Sequence, residues 1–167
     1  GGYTRNILSV NLTTGDIKKE PISMEFIKKF IGGESGNFRL AYDLIEPKMD
    51  PFSESSPIIF AVGPLVGTPA PCSHRMFTMF KHPNYGGVIE DGHCGGDFGT
   101  MLKWAGYDYL IITGRSDKPV YLKIHNDDVE ICEGGQVWGK DLYEATDMLW
   151  EAHDNASVYC IGPAAEK

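Results

Sequence analysis

Two glycine-rich segments contain the residues of this chain that are best suited to bind a polar ligand. One runs from Gly63 to Arg75, and the other, GGVIEDGHCGGDFG, runs from Gly86 to Gly99. Glycine loses more backbone freedom on folding than any other residue, so it is retained where the chain turns sharply or approaches a ligand closely. The pattern predicts two rigid polar loops that meet near Arg75 and form a docking surface for a polar group that carries phosphate.

The residue types in these segments allow several kinds of chemistry. The Arg75 guanidinium is a planar fork of donors that stays charged, and glycine loops expose N–H groups to anionic oxygens. An ordinary surface ion pair of Arg75 fits the sequence equally well. His93 and Cys94 could start a metal site of their own, although no further ligands are fixed by the sequence. Glu90 and Asp91 are adjacent, and neighbouring strand residues point to opposite faces, so they are assigned no acid–base role.

Composition excludes several classes of protein. The chain has 167 residues, 42% of them hydrophobic and 11% aromatic, which is typical of one globular domain. Its net charge of −8 argues against nucleic-acid binding, which requires a basic surface. No apolar stretch approaches the roughly 20 residues of a membrane helix, and the first residues do not resemble a signal peptide. We therefore expect no nucleic-acid partner and no membrane partner.

The four cysteines, at positions 72, 94, 132 and 160, include no C-x-x-C pair. A zinc ribbon or a self-contained iron–sulfur site therefore has little support. Two disulfides in a secreted protein would be possible, but no secretion signal supports them. We expect a reduced, cytoplasmic chain.

The elements that must position the glycine loops alternate between hairpins and short helices. Strands are predicted at 7–12, 17–22, 57–62, 75–80, 109–113, 120–125, 129–132 and 157–161. Helices are predicted after Ser23, from about Phe38 to Ile45, at 99–105 and after Asp141. Residues 32–36 are expected to separate the first two helices, and Trp104, Tyr107 and Tyr109 to fill the core.

This order predicts an α+β fold with two mostly antiparallel sheets in a pseudo-twofold arrangement and a few short helices, within a single domain spanning 1–167. The pseudo-twofold rests on a repeated fragment, because Ile59–Pro64 and Val158–Pro163 are each a strand followed by Gly-Pro. Chance is the alternative explanation, since Gly-Pro commonly ends strands.

The chain resembles the N-terminal domain of the tungsten-dependent aldehyde:ferredoxin oxidoreductase family. The likeness covers nearly the whole sequence, and its motifs are long. They are Asn11–Gly15, Phe60–Thr68, Ala70-Pro71, Arg75, Gly95–Gly99, Leu102–Asp108, Lys118–Tyr121, Trp138–Lys140 and Ile161–Ala164.

The resemblance implies a base for a bis-pterin cofactor that holds tungsten, or molybdenum in some relatives. It also implies a magnesium ion between the pterin phosphates and a 4Fe-4S cluster whose ligands lie outside this chain. Aldehydes would be oxidised to carboxylic acids, with electrons passed to ferredoxin. Arg75 matches the arginine between pterin and cluster, and His93, Cys94 and Gly95 match the loop at the pterin phosphates. His93 holds the position whose backbone carbonyl binds magnesium.

The sequence departs from the family pattern at two places. His93-Cys94 replaces the common Asn-Ser, which preserves a carbonyl role but not side-chain contacts. Gly33-Glu34-Ser35-Gly36 replaces a glycine-arginine-glycine pattern, so no ligand contact is transferred there.

The cluster cysteines, second pterin motif and proton-transfer residues of the family have no counterpart up to Lys167. We expect an excised domain that is inactive alone, works with the remaining domains of the enzyme and self-associates as a homo-oligomer. A short paralogue without catalysis is the alternative. A different class also remains open, namely a non-catalytic β-rich module that binds a phosphorylated small molecule or a partner protein.

Overall fold

A computed structural model describes residues 2–85, 87–154 and 156–166 of the chain. Eight strands and four helices lie in these ranges. In chain order they are β1 Asn6–Asn11, β2 Asp16–Pro21, α1 Met24–Phe30, α2 Glu34–Leu44, β3 Ile58–Val62, β4 Met76–Lys81, β5 Ile89–Cys94, α3 Phe98–Trp104, β6 Tyr109–Thr113, β7 Val120–His125, β8 Asp128–Glu133 and α4 Leu142–Ala152.

A six-stranded sheet in the order β2-β1-β6-β3-β4-β5 forms the centre, and β7-β8 forms a separate two-stranded sheet. The pairing of β1 with β6 is parallel, and the other described pairs are antiparallel. The α+β class with two mostly antiparallel sheets is therefore confirmed. The two sheets are unequal in size.

Alternation along the strands gives the large sheet an apolar layer on each face. On one face, Ile59, Met79 and Ile111 pack with Ala41 and Ile45 of α2 and its C-terminal end. On the other face, a cluster around Leu8, Phe60, Val62, Met76 and Leu110 packs with Leu102 of α3 and with the β7-β8 sheet. A side chain's position on a strand thus decides which layer it joins.

Helix starts follow the capping chemistry of the sequence. Ser23 accepts a hydrogen bond from the Phe26 N–H at 3.1 Å, and Asp141 accepts from the N–H groups of Tyr143 and Glu144 at 2.9 Å each. Gly33 precedes α2, which begins at Glu34. The break between α1 and α2 is therefore shorter than predicted, and Glu34 belongs to a helix.

Three further sequence predictions were wrong. The segment before Gly99 is not a loop throughout, because Ile89–Cys94 pairs with β4 as the edge strand β5; Gly86 lies outside the described residues. Residues 157–161 form no strand in the described part of the chain, so the sequence repeat does not produce two matching strands. Trp104 is 63% exposed rather than buried, whereas Tyr107 and Tyr109 are in the core as expected.

No helix in the described ranges is both long enough and apolar enough to cross a membrane. The four cysteines, at positions 72, 94, 132 and 160, are free thiols in this structure.

Candidate functional site

The residues singled out by the sequence come together at one end of the β4–β5 ladder. Met76, the first residue of β4, lies opposite Cys94, the last residue of β5. Arg75 immediately precedes Met76 and Gly95 immediately follows Cys94, so both continue from this register position. This register brings the end of the second glycine-rich segment beside Arg75, and that segment contributes a strand and only the end of a loop.

Side-chain hydrogen bonds hold the 63–75 loop that leads to Arg75. Ser73 Oγ donates to the carbonyls of Leu65 and Ala70 at 2.9 and 2.8 Å, and Thr68 Oγ1 donates to Leu65 at 2.7 Å. Hydroxyls that bond to nearby carbonyls fix irregular backbone in this way. The loop is therefore ordered by its own short polar residues.

Trp104 ties the same loop to α3. Its indole Nε1–H donates to the Gly67 carbonyl at 2.9 Å. Gly67 has φ of +73°, and a Cβ there would lie 2.9 Å from Trp104 Nε1. Both the backbone conformation and the close approach thus require glycine at this position.

Beyond β5 the chain presents open backbone. Gly96 has φ of +88°, and a Cβ there would meet nothing within 4 Å. Within residues 2–85, 87–154 and 156–166, the amides of Gly95 and Gly96 donate to no protein carbonyl. In the same ranges, the exposed Arg75 forms no salt bridge. The site therefore offers two unused amide donors and one unpaired cation, which suits an anionic oxygen.

His93 and Cys94 leave β5 on opposite faces. Cys94 packs with the core cluster on the α3 side, and its thiol donates to the Gly95 carbonyl at 3.0 Å. The His93 ring packs edge-on against Phe77, with ring centroids 4.8 Å apart. These two side chains therefore do not form a metal site together.

The acidic partners of His93 lie on its own face of the sheet. His93 Nε2 is 2.5 Å from Asp91 Oδ2, two residues earlier on β5. Glu34, at the start of α2, brings one carboxylate oxygen close to the same pair; the three ligand atoms lie within 4.8 Å of one another. Asp91 and His93 are two positions apart in the sequence, but they were not paired there, because no strand was predicted at these positions. Glu34 was not assigned, because its proximity depends on how α2 packs on the sheet.

Burial changes the acid–base behaviour of the aromatic side chains near the site. Desolvation raises the pKa of the Tyr109 hydroxyl, and the neighbouring Asp108 carboxylate raises it further. Burial also raises the pKa of Tyr159, and Cys94 adds to this effect. Both phenols stay neutral at physiological pH, so neither contributes a charge to the site.

The fold and site define an α+β domain with an ordered, glycine-rich end that carries an unpaired cation. The chain belongs to the family described as aldehyde ferredoxin oxidoreductase, N-terminal domain, which it matches over residues 7–167. The resemblance seen in the sequence is thereby confirmed.

Similar proteins are several times longer than this chain. A tungsten-containing aldehyde ferredoxin oxidoreductase of Pyrococcus abyssi is 43% identical over 99% of the chain and 27% of that protein. One of Pyrococcus furiosus is 38% identical over the same shares. Among solved structures, the active site complex BamBC of benzoyl coenzyme A reductase in complex with 1,5 dienoyl-CoA superimposes with a TM-score of 0.88. It is 32% identical and covers 92% of this chain and 23% of that one.

Proposed function

We propose that this domain is the base on which a tungsten or molybdenum bis-pterin cofactor rests in a larger oxidoreductase. The observation that carries the proposal is the convergence of Arg75 with the open Gly95-Gly96 backbone at one end of the β4–β5 ladder. The chain spans about a quarter of the relatives it matches, with 27% of the Pyrococcus abyssi protein covered. The activity that follows is therefore proposed for the whole protein.

The residues present fit an anionic pterin cofactor. Arg75 would donate to phosphate or to a pterin edge, and the Gly95 and Gly96 amides would donate to phosphate oxygens. No Cβ at Gly96 obstructs the approach. The His93 carbonyl would be an oxygen ligand for magnesium, which often takes its remaining ligands from cofactor phosphates. When bound, the tungsten centre supplies the redox chemistry, and this chain's residues bind and orient it.

Substrate choice belongs to other parts of the whole protein in this proposal. The names of the relatives state different substrates, including aldehydes, glyceraldehyde-3-phosphate and an aliphatic sulfonate. What they share with this chain is sequence within this domain, over 99%, 91% and 58% of the chain respectively for the aldehyde, sulfonate and glyceraldehyde-3-phosphate proteins, which supports a common task. We propose oxidation of aldehydes to carboxylic acids, with ferredoxin as electron acceptor and a 4Fe-4S cluster held outside this chain. We further propose that the protein acts in the cytoplasm and that the isolated domain is inactive.

Replacing Arg75 in the full natural chain tests the cofactor contact. Losing a charged hydrogen-bond donor costs about 1.5–3 kcal/mol, which corresponds to roughly tenfold or more in affinity. We therefore expect Arg75→Ala to lower the tungsten or molybdenum content per chain, measured by mass spectrometry of the purified protein, and aldehyde oxidation to fall with it.

Arg115→Ala is the matched control. Arg115 is also exposed, but it follows β6 at the opposite end of the strands, because Ile112 near the end of β6 pairs with Ile58 at the start of β3. The Arg115→Ala variant should keep the tungsten or molybdenum content of the wild type. Equal metal content in both variants would contradict the contact. A wild-type protein with neither metal, and without activity on aldehydes, would instead favour the non-catalytic module.

A further inference from the structure

Glu34, Asp91 and His93 form a cluster of metal-ligating side chains on the α2 face of the sheet, away from the Cys94 layer. Each offers one ligand atom, and these atoms all lie within 4.8 Å of one another. We propose that this cluster binds a divalent transition-metal ion such as Zn²⁺ or Mn²⁺ through side chains. This proposal does not depend on a bound pterin.

Two separate elements hold the three ligands in place. Asp91 and His93 project from one face of β5, whose whole length pairs with β4. Glu34 begins α2, and one turn later the buried Asn37 fixes that helix to the sheet by donating to the Ile59 carbonyl at 3.3 Å. The convergence of the ligands is therefore set by the packing of α2 on the sheet and does not depend on a flexible loop.

Electrostatics favour a cation at this position. The carboxylates of Glu34 and Asp91 face the same small volume, where like charges repel. Among the described residues, neither is paired with a lysine or arginine, and His93 is the basic partner of Asp91. A divalent ion would neutralise both carboxylates at once.

The donor set selects the type of metal. One imidazole nitrogen and two carboxylate oxygens suit Zn²⁺ or Mn²⁺, whereas Mg²⁺ prefers oxygen ligands alone. Bonds of about 2.0–2.2 Å place neighbouring ligands roughly 3.4 Å apart in a tetrahedral site. Within the 4.8 Å limit Glu34 needs only a short approach, whereas His93 Nε2 and Asp91 Oδ2, which lie 2.5 Å apart, would separate to admit the ion. The side chains of His93 and Asp91 are 44% and 31% exposed, so they can make this movement and water can complete the coordination.

The site is distinct from the magnesium position expected from the family resemblance. That position uses the backbone carbonyl of residue 93, which any amino acid supplies, whereas this one requires the imidazole. Glu34 and His93 are also the two places where the sequence departs from the family pattern, and the structure brings them together.

Binding of Zn²⁺ alone and Mn²⁺ alone to the full natural chain tests the proposal. Metal per chain is measured by mass spectrometry after equilibrium dialysis, and affinity by titration calorimetry. We expect one equivalent in the wild type that is lost in His93→Asn and in Glu34→Gln. Since loss of an outer-shell partner already costs 10–100-fold in affinity, removal of a ligand should cost at least about tenfold.

His82→Asn is the matched control, because His82 also faces a carboxylate, with Nε2 3.3 Å from Glu90 Oε2, but at the other end of the ladder. The His82→Asn variant should bind one equivalent of metal per chain, as the wild type does. Circular dichroism verifies that each variant is folded. Wild-type and His93→Asn proteins that bind the same amount of either metal would overturn the proposal. Tungsten and magnesium measured in the same samples report separately on the proposed function, since His93→Asn retains the backbone carbonyl.

Discussion

Asp108 fixes the N-terminal segment to the end of the central sheet. Asp108 is 2% exposed. Its carboxylate accepts a hydrogen bond from the Thr4 N–H at 3.1 Å and another from the Arg5 N–H at 2.7 Å. The buried Lys103 ammonium pairs with the same carboxylate and also donates to the Gly2 carbonyl at 3.0 Å. One ion pair thus joins the chain start to the turn between α3 and β6.

We predict that Asp108→Asn strongly destabilises the domain. Removing one member of a buried pair leaves the other charge uncompensated, which typically costs about 3–5 kcal/mol. Urea unfolding of both proteins would measure the loss. Asp127→Asn is the control, because its pair with Lys19 is exposed and should leave the midpoint nearly unchanged. Similar midpoints for Asp108→Asn and wild type would show that this ion pair is not a stabilising contact.

At the scale of elements, α2 comes very close to the central sheet at Gly36. A Cβ at this position would lie 1.8 Å from the Tyr109 hydroxyl oxygen and 2.8 Å from its Cζ. Tyr109 has little room to move, because it is buried in β6 and Phe26 packs edge-on against it at 6.1 Å between ring centroids. Gly36 therefore sets the distance between α2 and the sheet.

We predict that Gly36→Ala destabilises the domain by about 1–3 kcal/mol, the usual cost of overpacking, despite the better helix propensity of alanine. Gly135→Ala, where a Cβ would meet nothing within 4 Å, should be nearly neutral. Thermal unfolding would compare the two. Adding Tyr109→Phe to Gly36→Ala removes the clashing oxygen and should recover part of the loss. A Gly36→Ala protein as stable as wild type would contradict the close approach.

Elements with strong periodicity were predictable, and those whose formation depends on a partner were not. The bounds of β6 and β7 agree with their apolar patterns. β5 was missed because its glycine and acidic residues have low strand propensity, and it forms as an edge by pairing with β4. Residues 157–161 have a strand-like pattern but no ladder partner in the described ranges; Tyr159 instead packs on Phe60.

The candidate site followed the same division. Arg75 and Gly95 were predicted as site residues from residue type and motif, and the β4–β5 register places them at the same end of the ladder. Glu34 is 57 positions before Asp91, and only the packing of α2 brings their carboxylates together. A single sequence contains no local pattern that would reveal such a long-range pair.

At the scale of the whole molecule, large aromatic side chains remain on the surface. Phe52 and Tyr143 are 81% and 84% exposed, and Tyr42 is also largely uncovered. Apolar surface of this kind promotes association. The net charge of −8 opposes it by mutual repulsion, which salt screens.

We therefore predict that the 167-residue domain, prepared alone, self-associates at high concentration, and more strongly at high salt. Sedimentation velocity over a range of concentrations would measure this. Tyr143→Ser and Phe52→Ser, which remove exposed rings, should shift the distribution towards monomer. A single monomeric species under all these conditions would contradict the prediction.

The hydrogen bond between the Trp104 indole and Gly67 gives the domain a built-in optical signal. The indole emits fluorescence that is sensitive to its polar surroundings, and here it reports on the backbone segment that ends at Arg75. The other two tryptophans, Trp138 and Trp150, lie after β8. In a protein with phenylalanine at those two positions, the wavelength of the Trp104 emission maximum would change when an anion binds at this end of the sheet, without any attached dye.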